Sequence, residues 1–215
     1  MAENESSILD PLERASEIIF GLIMALTFTS TISLLATKAD VHTMLAGAIG
    51  CNLAWGIVDA AMYLLAQIVT RERWRTLALT VASASTVEAR RLIAEHIPLG
   101  AGKIFTESEL DRLAGAVRAS AIPERRVMPT GDEWRGAAGI FMLVFLSTFP
   151  VALPFVFLED VGIALRTSNA IAVALLFAIG AALGKHMGWS PSWAPGAIVG
   201  VFGAVLVGIT IALGG

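Results

Sequence analysis

The stretch Ala46–Gln67, AGAIGCNLAWGIVDAAMYLLAQ, decides how the chain is read. It is the interior of a long apolar run, yet it holds Asp59, with Asn52 seven residues earlier. At helical spacing Asn52, Trp55, Asp59 and Met62 share one stripe. A carboxylate inside an apolar run long enough to span a bilayer is costly unless it faces a protein interior or water. Asp59 is therefore a candidate functional residue before anything else is known.

The rest of the chain makes the membrane reading general. Its 215 residues are 56% hydrophobic and only 15% charged, against about 25% charged in soluble domains. The apolar residues gather in blocks of roughly 20, the length that crosses about 30 Å of hydrocarbon as a helix. The fold class expected is all-α: a polytopic membrane protein of five transmembrane helices, with a small helical cytoplasmic insertion between helices 2 and 3. The lone cysteine, Cys51, lies in an apolar segment and reads as a small buried hydrophobe. The acidic N-terminus (Glu3, Glu5, Asp10, Glu13) does not resemble a cleavable signal, so the first apolar run is expected to be retained.

Outward from Ala46–Gln67, Lys38–Thr43 reads as a short turn joining spans over 18–37 and 44–69. Asp10-Pro11-Leu12-Glu13 has the form of a capping box with proline at the first helical position, opening the first helix. That first span is rich in hydroxyls, and Met24, Thr27 and Thr31 fall on one face. Two readings stand for them: back-bonding within the helix, or lining a polar path. Residues 1–70 thus hold the N-terminal segment and helices 1 and 2. Residues 71–135 form the polar helical region, with capping boxes at Ser85–Glu88, Thr106–Glu109 and Thr130–Glu133 and a break at Pro98–Gly102. An apolar stripe, Leu110, Leu113, Ala114 and Val117, runs along its second helix. Residues 136–215 hold helices 3 to 5, over 135–158, 168–187 and 194–213. Pro150 and Pro154 predict a kink or local unwinding. Gly180, Gly184 and Gly188, then Gly196, Gly200 and Gly208, predict closely packed helices.

Charge sets the expected orientation. Of 15 Lys and Arg, 11 lie between Arg71 and Arg135; with Arg14 and Lys185, 13 fall on one side and only Lys38 and Arg166 on the other. The positive-inside rule then places the N-terminus and residues 71–135 in the cytoplasm and the C-terminus across the membrane. Trp74, Trp134, Trp189 and Trp193 all fall at that same interface.

No nucleophile elbow, phosphate-binding loop, HExxH or dinucleotide fingerprint occurs, so no enzyme is expected. His42, His96 and His186 are scattered over both sides. The arginines of 71–135 are interspersed with acids, and topology and anionic lipid account for them, so no nucleic-acid partner is expected. The bilayer itself is the partner expected. There remain Asp59 and Asn52, with Met24, Met62, Thr27 and Thr31, as an ion path. Carboxylate and amide oxygens suit hard cations and protons, and thioethers suit softer metals, so the set fits a borderline divalent ion such as Fe²⁺ or Mn²⁺ as a transported species, with no permanently bound cofactor.

With these features in place, the chain resembles the vacuolar iron transporter (VIT) family. Thr148–Leu158, TFPVALPFVFL, is similar to the family's proline-bearing third span. Ala174–Gly215, ALLFAIGAALGKHMGWSPSWAPGAIVGVFGAVLVGITIALGG, is similar to its glycine-rich fourth and fifth. The resemblance implies a homodimer of five-span protomers that exports Fe²⁺ or Mn²⁺ from the cytosol in exchange for protons. There are departures. Where the family carries an acid in span one, Gly21–Leu26 has Met24; where span two offers Gly-Glu-Tyr, this chain has Gly56-Ile57-Val58-Asp59. Glu88, Glu95, Glu107 and Glu109 are interleaved with Arg90, Arg91 and Arg112, unlike the family's metal-binding glutamates. A second expectation is therefore a non-transporting membrane protein on the same scaffold, acting through a partner docked on the Leu110–Val117 stripe.

Overall fold

In the computed structural model the described residues are 9–31, 37–97, 104–122, 124–125 and 127–212. Among them are seven helices and no strands: α1 (Pro11–Thr29), α2 (Lys38–Ser83), α3 (Thr86–His96), α4 (Glu107–Ala119), α5 (Gly131–Phe157), α6 (Val161–His186) and α7 (Ala194–Ala212). Four of these, α2, α5, α6 and α7, are long and apolar enough to cross a membrane. The chain divides into two compact units, Met1–Tyr63 with Gly131–Gly215, and Leu64–Thr130.

Local chemistry sets the helix ends. At α1 the Asp10 side chain accepts from Leu12 N at 2.8 Å while Glu13 accepts from Asp10 N at 3.0 Å, the reciprocal box the sequence suggests. Helix α1 stops at Thr29, short of the expected Thr37, and residues 32–36 lie outside the described set. Helix α2 corrects the expected turn at Lys38–Thr43. Thr37 Oγ1 accepts from Asp40 N and Asp40 Oδ2 accepts from Thr37 N at 2.7 Å, so the helix begins at Lys38. With no glycine or proline after Gly56, it continues past Val69 through Arg71–Arg75 to Ser83. Helix α6 likewise starts at Val161, before the expected 168, because Asp160 accepts from Ile163 N at 2.8 Å as its N-cap. The local unwinding expected at Pro150 and Pro154 does not occur, since α5 stays helical through both. Beside them the Ser168 hydroxyl of α6 donates to Val151 O at 2.6 Å, tying the two helices where the proline-bearing stretch lacks backbone donors.

In the first unit the core is formed by Leu22, Ala25 and Leu26 of α1, Val151 of α5, and Ala172 and Leu176 of α6. Helices α6 and α7 form a hairpin with their backbones in contact. A Cβ on Gly180 would sit 2.8 Å from Gly196 Cα, and one on Gly184 would collide with Ser192 O and the Pro195 ring. The small-residue spacing thus does what close helix packing requires. The turn between them closes with Trp189 N donating to Gly184 O at 2.9 Å and Gly188 N to Lys185 O at 3.2 Å. Gly188, at φ +70°, takes the left-handed position that this cap needs. Helix α2 contrasts with them, for only 6% of its span window is buried.

In the second unit Val81 of α2, Ala89 of α3 and Ala114 of α4 make a small core. Ser85 caps α3 by accepting from Glu88 N, and Thr106 caps α4 in a full box with Glu109. The break at Pro98–Gly102 lies outside the described residues. Arg90 joins α3 to α4, donating to both Asp111 oxygens at 2.6 and 2.7 Å and to Glu107 at 2.5 Å. Its guanidinium holds the Asp111 carboxyl below the usual carboxylate range. Arg91 pairs with Glu95 at 3.0 Å, and Glu88, Glu107 and Glu109 are likewise engaged in caps or ion pairs. Leu110 and Ala114 of the apolar stripe are buried in the unit, and Leu113 is exposed.

Candidate functional site: a polar seam between α1, α2 and α5

The inner face of α2 is given by what it touches. Gly47 meets the Phe28 ring, Asn52 bonds α1 and α5, Gly56 meets Phe141, and Tyr63 lies against Gly136. Asn52, Gly56 and Tyr63, four and seven residues apart, share one helical stripe, and Gly47 lies off it. The α1 partners run the other way: Phe28 at Gly47, Gly21 at Asn52, Phe20 at Trp55, and Glu17 beside Asp59. Helix α1 is therefore antiparallel to α2, and so is α5, whose partners descend from Thr148 to Gly136.

The seam has levels. At one end stands Tyr63, its ring against Gly136. Next, antiparallel register puts Glu17 and Asp59 one turn beyond the Phe20–Trp55 contact, and Asp59 Oδ2 is buried with no hydrogen-bond partner. An aromatic level follows. Phe20 and Trp55 meet edge to face at 5.7 Å, and Phe141 lies so near Gly56 that a Cβ there would stand 3.0 Å from its ring. The fourth level is amide and hydroxyl. Asn52, fully buried, donates from Nδ2 to Gly21 O at 3.1 Å and to Thr148 Oγ1. Gly21 is what lets α1 approach: a Cβ there would lie 2.7 Å from Val144 O and collide with Ser147 Oγ. Asn52 Oδ1 has no partner, and leaving a buried acceptor unsatisfied costs about 1–3 kcal/mol.

The residues singled out from sequence separate on this geometry. Asn52 and Asp59 face the seam. Met24 is half-buried, and helical register puts it on the α1 stripe of Glu17, Gly21 and Phe28. Met62 is 58% exposed and points away. Thr27 and Thr31 are back-bonded, donating to Ile23 O and Phe28 O at 2.7 Å each, and Thr31 lies beyond the end of α1. Glu17, Gly21, Phe141, Ser147 and Thr148 were not singled out. The one local signal was Glu17 and Gly21 at four-residue spacing on the face of α1 that also carries Phe28.

Chemically the seam offers two carboxylates at one level and amide, hydroxyl and backbone oxygens at another. Among the described residues no group of three or more His, Cys, Asp or Glu is placed to hold a metal ion. No family model matches the chain, and no curated protein matches it.

Proposed function

We propose that the chain is a membrane transporter of divalent cations, similar in plan to the VIT family, moving Fe²⁺ or Mn²⁺ out of the cytosol along the α1–α2–α5 seam with Asp59 and Glu17 as the first ion and proton site. The observation that carries this reading is Asp59 itself. One of its oxygens is buried and has no hydrogen-bond partner. A carboxylate kept for structure is paired or hydrogen-bonded, whereas one that awaits a cation or a proton is not.

In this reading α1 joins the four apolar helices as a fifth membrane element, with Glu13, Arg14 and Glu17 at its cytoplasmic end. The arginine bias puts that end, and the carboxylate level, on the cytosolic side. The exposed outer face of α2 (Leu53, Ile57, Met62, Leu65) is left to lipid and to a second copy in a homodimer. Purified protein in proteoliposomes should carry Mn²⁺, and Asp59→Asn should reduce that flux by about tenfold or more. Unchanged flux removes Asp59 from the mechanism.

One observation favours the second reading, a non-transporting scaffold that binds a partner. The second unit has an apolar groove of about 510 Å³ between Trp74, Leu77 and Val81 of α2 and Leu113 and Val117 of α4. Wild-type protein without Mn²⁺ flux, but with a partner lost on Leu113→Glu, would decide for it.

A further inference from the structure

Among the described residues of the first unit, Asn52 Oδ1 and Asp59 Oδ2 are the two unpartnered buried oxygens, and both belong to one face of one helix. They are seven residues apart, or about 10.5 Å along the axis. Between them on the same stripe stands Gly56, and the space its missing side chain leaves is taken by the Phe141 ring. Trp55 and Phe20 close the adjoining position with their edge-to-face contact. The arrangement is two polar levels separated by one aromatic layer.

The inner level has the chemistry of a cation or water site. Asn52 is 0% exposed, so bulk solvent does not satisfy its oxygen. Its amide nitrogen is fully used by Gly21 O and Thr148 Oγ1, which fixes the side chain with Oδ1 as the spare atom. Flipping the amide would set an oxygen against the Gly21 carbonyl, so the orientation is dictated by the neighbours. Thr148 is 1% exposed and adds a hydroxyl oxygen. All the donors are oxygens, which suits a hard or borderline divalent cation.

From this geometry we infer that Asn52 and Thr148 form a second, inner cation station, and that the Phe141 ring seated on Gly56 is the gate between it and the Glu17–Asp59 pair. The inference rests on the transport reading for the direction of ion movement, but not for the existence of the gate. With the ring in place, a cation held by the carboxylates meets an apolar layer that it cannot cross without losing its water. When the ring swings off Gly56, Asn52 Oδ1 and Thr148 Oγ1 replace part of that hydration. A larger residue at position 56 would leave the ring no seat.

The test reads access directly. In a Cys51→Ala background, Asn52→Cys and Thr148→Cys are each made with Phe141 intact and with Phe141→Ala, and labelled with a small cationic methanethiosulfonate reagent. Labelling of both should be slow with the ring and about tenfold or more faster without it. Mn²⁺ should slow labelling of Thr148→Cys, in which Asn52 remains. Thr148→Cys keeps the test alive if Asn52→Cys fails to fold. Leu26→Cys, buried in the apolar core of the same unit, should stay unlabelled in the Phe141→Ala protein. Equal rates with and without the ring, absence of Mn²⁺ protection, or labelling of Leu26→Cys would overturn the proposal. Gated labelling in the cysteine variants together with no Mn²⁺ flux by the wild-type protein would overturn the transport reading alone.

Discussion

The α6–α7 hairpin and the α2 seam solve the same packing problem in opposite ways. At α6–α7 the backbones touch through Gly180, Gly184 and Gly196, and the turn is closed by a complete cap. Along α2 the contacts are made by side chains: an asparagine, a phenylalanine on a glycine, a tyrosine. Two polar oxygens are left over. A hairpin of the first kind is rigid and has nothing to offer an ion. A seam of the second kind holds its helices less closely and keeps unpaired groups that a ligand can satisfy. On the proposed function, stability belongs to the first region and ion passage to the second.

That division is open to attack at several points. The largest effect on stability is expected at the hairpin. Gly180→Leu forces a side chain into the Gly196 backbone and should cost about 3 kcal/mol, the upper end of overpacking, seen as a lowered Tm in detergent. A Tm near wild type would mean the hairpin is not the rigid part. Thr148→Val comes next. It keeps the shape but takes the acceptor from Asn52 Nδ2, and should cost about 1–2 kcal/mol. A neutral result would show that the Asn52 tie is slack already.

The smallest effect lies in the second unit and depends on pH. The Arg90 ion pair holds the Asp111 carboxyl below its ordinary 3.8. A group lowered on folding contributes stability above its unfolded value and loses it as pH falls through the folded one. The α3–α4 pairing should therefore be insensitive to pH from 7 down to about 4 and weaken below that. Circular dichroism of wild type against Arg90→Ala checks it, and the variant should lack that component of the acid response.

What was legible in the sequence was local. The caps at Asp10 and Thr106 depend on residues three apart, and both were visible. The box at Thr37–Asp40 is equally local but uses Asp where Glu is the familiar third residue, and so Lys38–Thr43 read as a turn. Asp59 stood out because its chemistry contradicts its surroundings. Asn52, Trp55 and Asp59 of its stripe do face the seam, and Met62, 58% exposed, does not. Positions three and four apart are both neighbours on a helix, and only the contacts with Phe141 and Gly136 add Gly56 and Tyr63. The partners of Asn52 were out of reach, since Gly21 is 31 residues away and Thr148 is 96. No periodicity connects residues so far apart.

The central claim is that Asp59 is kept for passage and not for packing, and Asp59→Asn measured for both Mn²⁺ flux and Tm tests it most directly. With no partner to lose at Oδ2, the variant should melt close to wild type, within about 0.5 kcal/mol, while its flux in proteoliposomes falls by about tenfold or more. A variant that melts early and still carries Mn²⁺ at the wild-type rate would contradict the account.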